Sequence, residues 1–140
     1  MKHLEKQFST LSPADHEPHS LQELRKGAFN HFKEIGFPRQ SWEVYRFTNT
    51  TMVEKNAFRL STEADLPERG DEGKDSLSLP TLLFVNGHYQ PDLSTIPPGL
   101  TLNTLLDSYN KDAKLVTNGY NAGVNPFAIL NTAMMNSGLH

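Results

Sequence analysis

The clearest pattern along the chain is a stripe of apolar residues at helical spacing that ends just before residue 36. A stripe of this kind, with polar residues between, is typical of an amphipathic helix. Ser20 followed by Glu23 matches a capping box, and Gly36 with Pro38 interrupts the pattern. We therefore predict a helix over residues 21–35, with the stripe Leu21, Leu24, Ala28, Phe29, Phe32 and Ile35.

A second well-bounded helix is indicated near the end of the sequence. Asn125 is a favourable N-cap, Pro126 suits the first turn, and Gly138 provides a stop. The apolar residues between them recur at helical spacing. They form the stripe Phe127, Leu130, Ala133 and Met134.

The segment between the two helices has the pattern of a β-hairpin. An apolar run precedes Asn86-Gly87 and a short second strand follows it. Asn and Gly both tolerate positive φ, which makes this pair a strong hairpin signal. Pro91 closes the second strand, and residues 103–109 fit a helical turn. A helix at each end with a hairpin between them predicts a small α+β domain.

The remaining segments are less regular. Residues 1–19 fit either a loose tail or a marginal helix, and we treat them as a flexible tail before a domain at 20–140. A short helix after residue 50 has Thr50 or Thr51 as its N-cap candidates. Residues 61–76 contain six acids and two bases with few apolar groups, so we expect an exposed, mobile loop.

Composition excludes several classes of function. A chain of 140 residues suits one domain. A net charge of −3 and a pI of about 6.0 argue against nucleic acid as a partner. No apolar run approaches the roughly 20 residues of a membrane span. There is no cysteine, which excludes thiolate chemistry, and no export signal, so we expect a cytoplasmic protein.

Candidate catalytic and metal residues are few. His16 and His19 flank Pro18 in the expected tail, whereas a zinc site needs three or four convergent ligands. We expect His31 at the surface or at its boundary, and His88 solvated at the hairpin turn. The chain has neither a G-x-S-x-G elbow nor a Walker glycine loop, so we expect no enzyme, metal or cofactor.

The stretch "SWEVYRFTNTT" at 41–51 is the main candidate for a binding site. Arg46 stands between Tyr45 and Phe47, shortly after Trp42, the only tryptophan. Its alternation favours a strand, with the three aromatic residues packed in the core and Arg46 pointing outward. An Arg flanked by aromatic rings can also bind a ligand or peptide, and this alternative stays open.

Three motifs in the same order resemble the N-terminal region of the SufB/SufD family, especially SufD. "GFPRQSWEVYRFTNT" resembles the family signature, although Tyr45 and Phe47 stand where tryptophan and tyrosine are usual. "LLFVNGHYQPDLS" is similar to the family's Val-Asn-Gly turn, and "FAILNTAMMNSG" to its Leu-Asn-x-Ala helix. The signature residues carried over are Glu43, Tyr45, Arg46, Phe47 and Thr48.

The resemblance implies a non-enzymatic domain of a SufD-like subunit in the iron–sulfur cluster scaffold complex. Its implied role is structural or interactive, with SufB-like and SufC-like subunits as partners and no cofactor in this segment; self-association stays open. Family members continue into a long parallel β-helix, and the residues linked to cluster assembly lie beyond this region. The alternatives are a small soluble ligand- or peptide-binding module that uses Trp42–Phe47, or a hydrolase with an unrecognised site.

Overall fold

The computed structural model describes residues 1–11, 17–61, 80–117, 125–135 and 137–139. Most of the expected acidic loop at 61–76, together with His16, lies outside these residues. The described part combines helices with a two-stranded antiparallel hairpin, which confirms the α+β class. None of its helices combines the length and the hydropathy that a bilayer crossing requires. The helices are α1 (Lys2–Leu11), α2 (His19–Ile35), α3 (Thr51–Lys55), α4 (Leu105–Lys111), α5 (Ala113–Thr117) and α6 (Pro126–Met134), and the strands are β1 (Phe84–Val85) and β2 (His88–Tyr89).

The core lies between α2 and α6, the two helices that the apolar pattern predicts. Phe32 and Ile129 are both 0% exposed, one from each helix. Helix α2 ends as predicted, because Gly36 adopts φ 69°, a conformation that side chains rarely allow. Its N–H donates to the Phe32 carbonyl at 2.7 Å. The fully buried Ile129 was not in the predicted stripe of α6, whose other members apart from Ala133 are only partly buried.

Helix α1 covers one side of this core. The Phe8 ring stacks on the Phe29 ring with 4.3 Å between centroids and an interplanar angle of 7°. Leu4 also packs against the buried cluster. Residues 2–11 are therefore a packed helix rather than a flexible tail, and the helical alternative holds for them.

Arg25 of α2 forms a buried ion pair with Glu17, just before that helix, and a hydrogen bond to the end of α6. Arg25 is 3% exposed, and its Nη1 atom lies 2.7 Å from Glu17 Oε1. Its Nε–H donates to the Ala133 carbonyl at 3.2 Å, across 108 positions in the sequence. The guanidinium also lies over the Phe8 ring of α1, at 5.9 Å from its centroid. One side chain thus contacts three elements, which the helix pattern alone did not indicate.

The predicted capping box at the start of α2 is wrong. Helix α2 begins one residue before Ser20, after Pro18 in an extended conformation (φ −56°, ψ 139°). The Ser20 hydroxyl accepts a hydrogen bond from the Tyr109 hydroxyl at 2.9 Å and so links α2 to α4. Glu23 pairs with Lys26 at the surface, at 3.2 Å. Glu23, three positions after Ser20, therefore forms a surface ion pair and does not cap the helix.

Helix α6 has the predicted beginning and a different end. The Asn125 Oδ1 atom accepts two backbone N–H groups of the first turn, at 3.0 and 3.3 Å. The helix stops at Met134 instead of continuing to Gly138. The Gly138 carbonyl accepts a bond from the Leu105 N–H at 3.0 Å, next to the bridge between Thr104 and Leu139. The end of the described chain is therefore held against the start of α4.

The hairpin has the predicted turn. Phe84 pairs with Tyr89 and Val85 with His88, and the two turn residues have φ values of 49° and 86°. Two consecutive positive φ values define a type I′ turn, which Asn-Gly sequences favour. Helix α4 matches the helical turn expected at 103–109 and is capped by the Thr104 hydroxyl, which accepts the Asp107 N–H at 3.1 Å.

Candidate functional site

Residues 42–48, which we call the aromatic turn, contain a short 3-10 helix, Glu43–Tyr45, followed by a hydrogen-bonded turn, rather than the predicted strand. The Tyr45 N–H donates to the Trp42 carbonyl at 2.9 Å, and the Thr48 N–H donates to the Tyr45 carbonyl at 2.9 Å. Such i to i+3 bonds give about three residues per turn. The apolar residues of this stretch fit a period of two as well as a period of three, which is why the pattern misled.

The inner face of the aromatic turn packs against the beginning of α6. Trp42 and Tyr45 are three positions apart, and their ring centroids are 6.4 Å apart. The Tyr45 ring also lies 6.1 Å from the Phe127 ring. Its hydroxyl donates to Asn125 Oδ1 at 3.2 Å, the same atom that caps α6. The half-buried Tyr45 thus attaches the turn to the helix terminus, as the packing hypothesis requires for this residue.

The outer face of the turn is apolar and exposed. Val44 is 85% exposed and Phe47 is 93% exposed. The prediction that Phe47 packs in the core is therefore wrong. Val44 and Phe47 thus lie largely in solvent, whereas Trp42 and Tyr45 are half-buried. A strand would instead have placed Tyr45 and Phe47 on the same face.

Arg46 lies beside this outer face and points to solvent, as expected. Its guanidinium lies over the Phe47 ring, at 5.6 Å from the centroid. The backbone N–H of Arg46 donates to the Glu43 carbonyl at 3.3 Å, but the side chains of Arg46 and Glu43 form no ion pair. The exposed Thr48 closes the turn. Glu43, Arg46 and Thr48 are all exposed, and Arg46 is the one shown to contact the Phe47 ring.

A cavity of about 430 Å³ lies between the aromatic turn, the end of α2 and the start of α6. Its lining is mostly apolar, and the polar groups are an amide side chain and a phenol hydroxyl. None of the lining residues that the structure describes carries a carboxylate, an amine, an imidazole or a thiol. It is suited to holding an apolar side chain or a small apolar ligand. The lining residues are Ile35, Trp42, Val44, Tyr45 and Asn125.

The segment after the turn is fixed by local hydrogen bonds. Thr50 is buried, and its hydroxyl donates to the Pro38 carbonyl at 2.9 Å. The Asn49 Oδ1 atom accepts the Thr51 N–H at 3.0 Å. Thr50 occupies the N-cap position of α3 without a side-chain capping bond, so the expected threonine cap is not formed. The Thr50 bond instead holds both ends of residues 38–50 together.

The contact between His88 and Ser61 is not arranged as a nucleophile and its base. His88 is half-buried rather than solvated, and its Nε2 atom lies 3.2 Å from the Ser61 hydroxyl. That hydroxyl donates to the Asn86 carbonyl at 2.6 Å, so its proton is not directed at the imidazole. Within the described ranges, no three His, Asp or Glu side chains converge as a metal-ligand set would.

Two residues of this site were not recognised from the sequence. Asn125 was identified only as a helix cap, because its bond to Tyr45 spans 80 positions. Ile35 was assigned to the α2 stripe, although it also lines the cavity. No local sequence signal reports such contacts between distant segments.

The aromatic turn, the hairpin turn and the capped helix α6 contain the three motifs that resemble the SufB/SufD family. A family model described as the SufBD protein N-terminal region matches residues 6–140. A search of curated proteins and a search of solved structures each found no match. The family match spans nearly the whole chain and includes every helix and strand described above, except for the first four residues of α1. The chain therefore belongs to the SufBD family and is the N-terminal region of an iron–sulfur cluster assembly protein.

Proposed function

We propose that this region is the non-enzymatic N-terminal domain of a SufD-like subunit, with a structural and protein-interaction role in the scaffold complex. The observation that carries the proposal is the aromatic turn, which lies within the family match. Tyr45 holds the turn on α6, while Phe47 remains 93% exposed. One segment is thus both packed and open to a partner. The assignment to the SufD type rests on the resemblance of the signature at 36–50.

Several observations favour interaction over catalysis. The described residues that line the cavity are mostly apolar, and their polar side-chain groups include the Asn125 amide and the Tyr45 hydroxyl. The Ser61 hydroxyl donates to a backbone carbonyl and not to His88. General acid–base and nucleophilic catalysis both require a titratable group directed at the reacting atom. We accordingly propose that the domain has no resident cofactor and that SufB-like and SufC-like subunits are its partners. The absence of cysteine agrees with a reducing compartment, and we propose the cytoplasm.

Co-elution of purified proteins tests this function. The 140-residue chain is mixed with SufB-like and SufC-like subunits and separated by gel filtration with light scattering. We expect a complex that contains the chain in fixed stoichiometry, and metal analysis of the chain alone should show no stoichiometric iron. A chain that elutes alone in the presence of both subunits, or that carries iron by itself, would contradict the proposal.

A further inference from the structure

The outer face of the aromatic turn forms a continuous apolar surface with the cavity beside it. Val44, within the 3-10 helix, is 85% exposed, and Phe47, two residues after that helix, is 93% exposed. Val44 also lines the cavity, so the exposed face and the cavity share a wall. Single exposed apolar residues are common at protein surfaces. Here two exposed apolar residues, Val44 and Phe47, lie near an apolar cavity of about 430 Å³, which is large enough to receive a side chain.

An exposed cation lies on this surface. The Arg46 guanidinium rests on the Phe47 ring and has no ion pair within the described residues. Arg46 is exposed and follows Tyr45, which lines the cavity. Its positive charge can attract an acidic group even though the chain as a whole has a net charge of −3.

We infer that this surface binds a segment of another protein that inserts an apolar side chain into the cavity and places a carboxylate on Arg46. The planar guanidinium matches a carboxylate with two parallel hydrogen bonds. Aromatic and Arg side chains next to a pocket are the residue types that dominate binding energy at interfaces. The inference rests on the proposed function, because it names the surface through which that domain contacts its partner.

The other occupants fit this surface less well. Nucleic acid requires a basic footprint over many phosphates, whereas the only exposed cation that contacts this face is Arg46, among the residues that the structure describes. Membrane binding by a surface segment requires a long apolar face flanked by several bases. A second copy of this chain would have to present the same apolar and cationic surface to itself. The test below distinguishes that case from a different protein.

The test is a binding titration of the labelled 140-residue chain with purified SufB-like and SufC-like subunits. The variants are Phe47→Ala, which removes the exposed ring, and Arg46→Glu, which reverses the charge. Phe58→Ala and Lys114→Glu are matched controls, since both side chains are exposed and neither is among the described residues that line the cavity. We expect each test variant to raise Kd at least about tenfold and each control to change it less than about twofold. Added salt should weaken subunit binding by the wild-type chain more than subunit binding by the Arg46→Glu variant.

The outcomes separate this inference from the proposed function. Wild-type affinity in both test variants would overturn the docking surface while leaving the proposed interaction role intact. No binding by the wild-type chain would refute both. Loss of self-association in Phe47→Ala, with subunit binding unchanged, would assign the surface to a second copy and overturn the inference. Because both substituted side chains are exposed, thermal denaturation should show that the variants remain folded.

Discussion

At the scale of single residues, two neighbouring aromatic side chains have opposite environments. Tyr45 contacts Phe127 and Asn125, whereas Phe47 contacts solvent and the Arg46 guanidinium. The sequence places both in one motif, and only the period of the backbone separates them. Residue type alone therefore could not assign packing to one ring and exposure to the other.

This difference gives a matched pair of substitutions. Tyr45→Ala should lower the free energy of unfolding by about 2 kcal/mol, since a half-buried ring loses roughly half the 3–5 kcal/mol of a fully buried one. Phe47→Ala should change it by less than about 0.5 kcal/mol because the ring is exposed. Urea denaturation of the two variants measures both values. Equal destabilisation by the two substitutions would mean that both rings are packed, which would contradict the exposure of Phe47.

Asn125 connects the residue scale to that of the elements. Its Oδ1 atom accepts two backbone N–H groups of α6 and the Tyr45 hydroxyl. Asn125→Ala should cost about 1–2 kcal/mol, as the loss of an N-cap usually does. Asn125→Asp keeps an acceptor at the same place and should cost much less. If both variants unfold at the wild-type midpoint in thermal denaturation, the cap and the link to the turn do not stabilise the domain.

At the scale of elements, the sequence correctly predicted those elements that depend on interactions between residues close together in the chain. Helix α2, the hairpin and the start of α6 were predicted, because spacing, an Asn-Gly turn and an Asn-Pro cap act within a few residues. The packing of α1 and the burial of Arg25 were not predicted. Both depend on α6, which is more than 100 positions away. A charged residue beside an apolar stripe is ordinarily read as surface.

The buried Arg25 should therefore matter more than any surface ion pair. Arg25→Ala leaves the Glu17 carboxylate buried without its partner and frees the Ala133 carbonyl. We expect a loss of about 3–5 kcal/mol in the free energy of unfolding. Lys26→Ala, the control on the same helix, removes an exposed pair and should cost less than about 1 kcal/mol. Similar chemical denaturation midpoints for the two variants would contradict the claim that Arg25 stabilises the packing of α2 against α6.

At the scale of the whole molecule, the family could be inferred from three weak motifs in order, and the family match confirms it. The site could be inferred only in part. The signature residues Tyr45 and Arg46 were singled out, but the cavity and the exposed outer face were not. Both arise where α2, the aromatic turn and α6 meet, and no segment alone specifies that arrangement.

Hydrogen–deuterium exchange of the chain, free and with SufB-like and SufC-like subunits, tests the central claim most directly. That claim is that the aromatic turn packs against α6 through Tyr45 and binds a partner through Phe47. In the free chain, we expect slow exchange in the core of α2 and α6 and faster exchange at residues 43–48. With the subunits bound, exchange at 43–48 should slow while the core changes little. Complex formation with unchanged exchange at 43–48 would contradict the account.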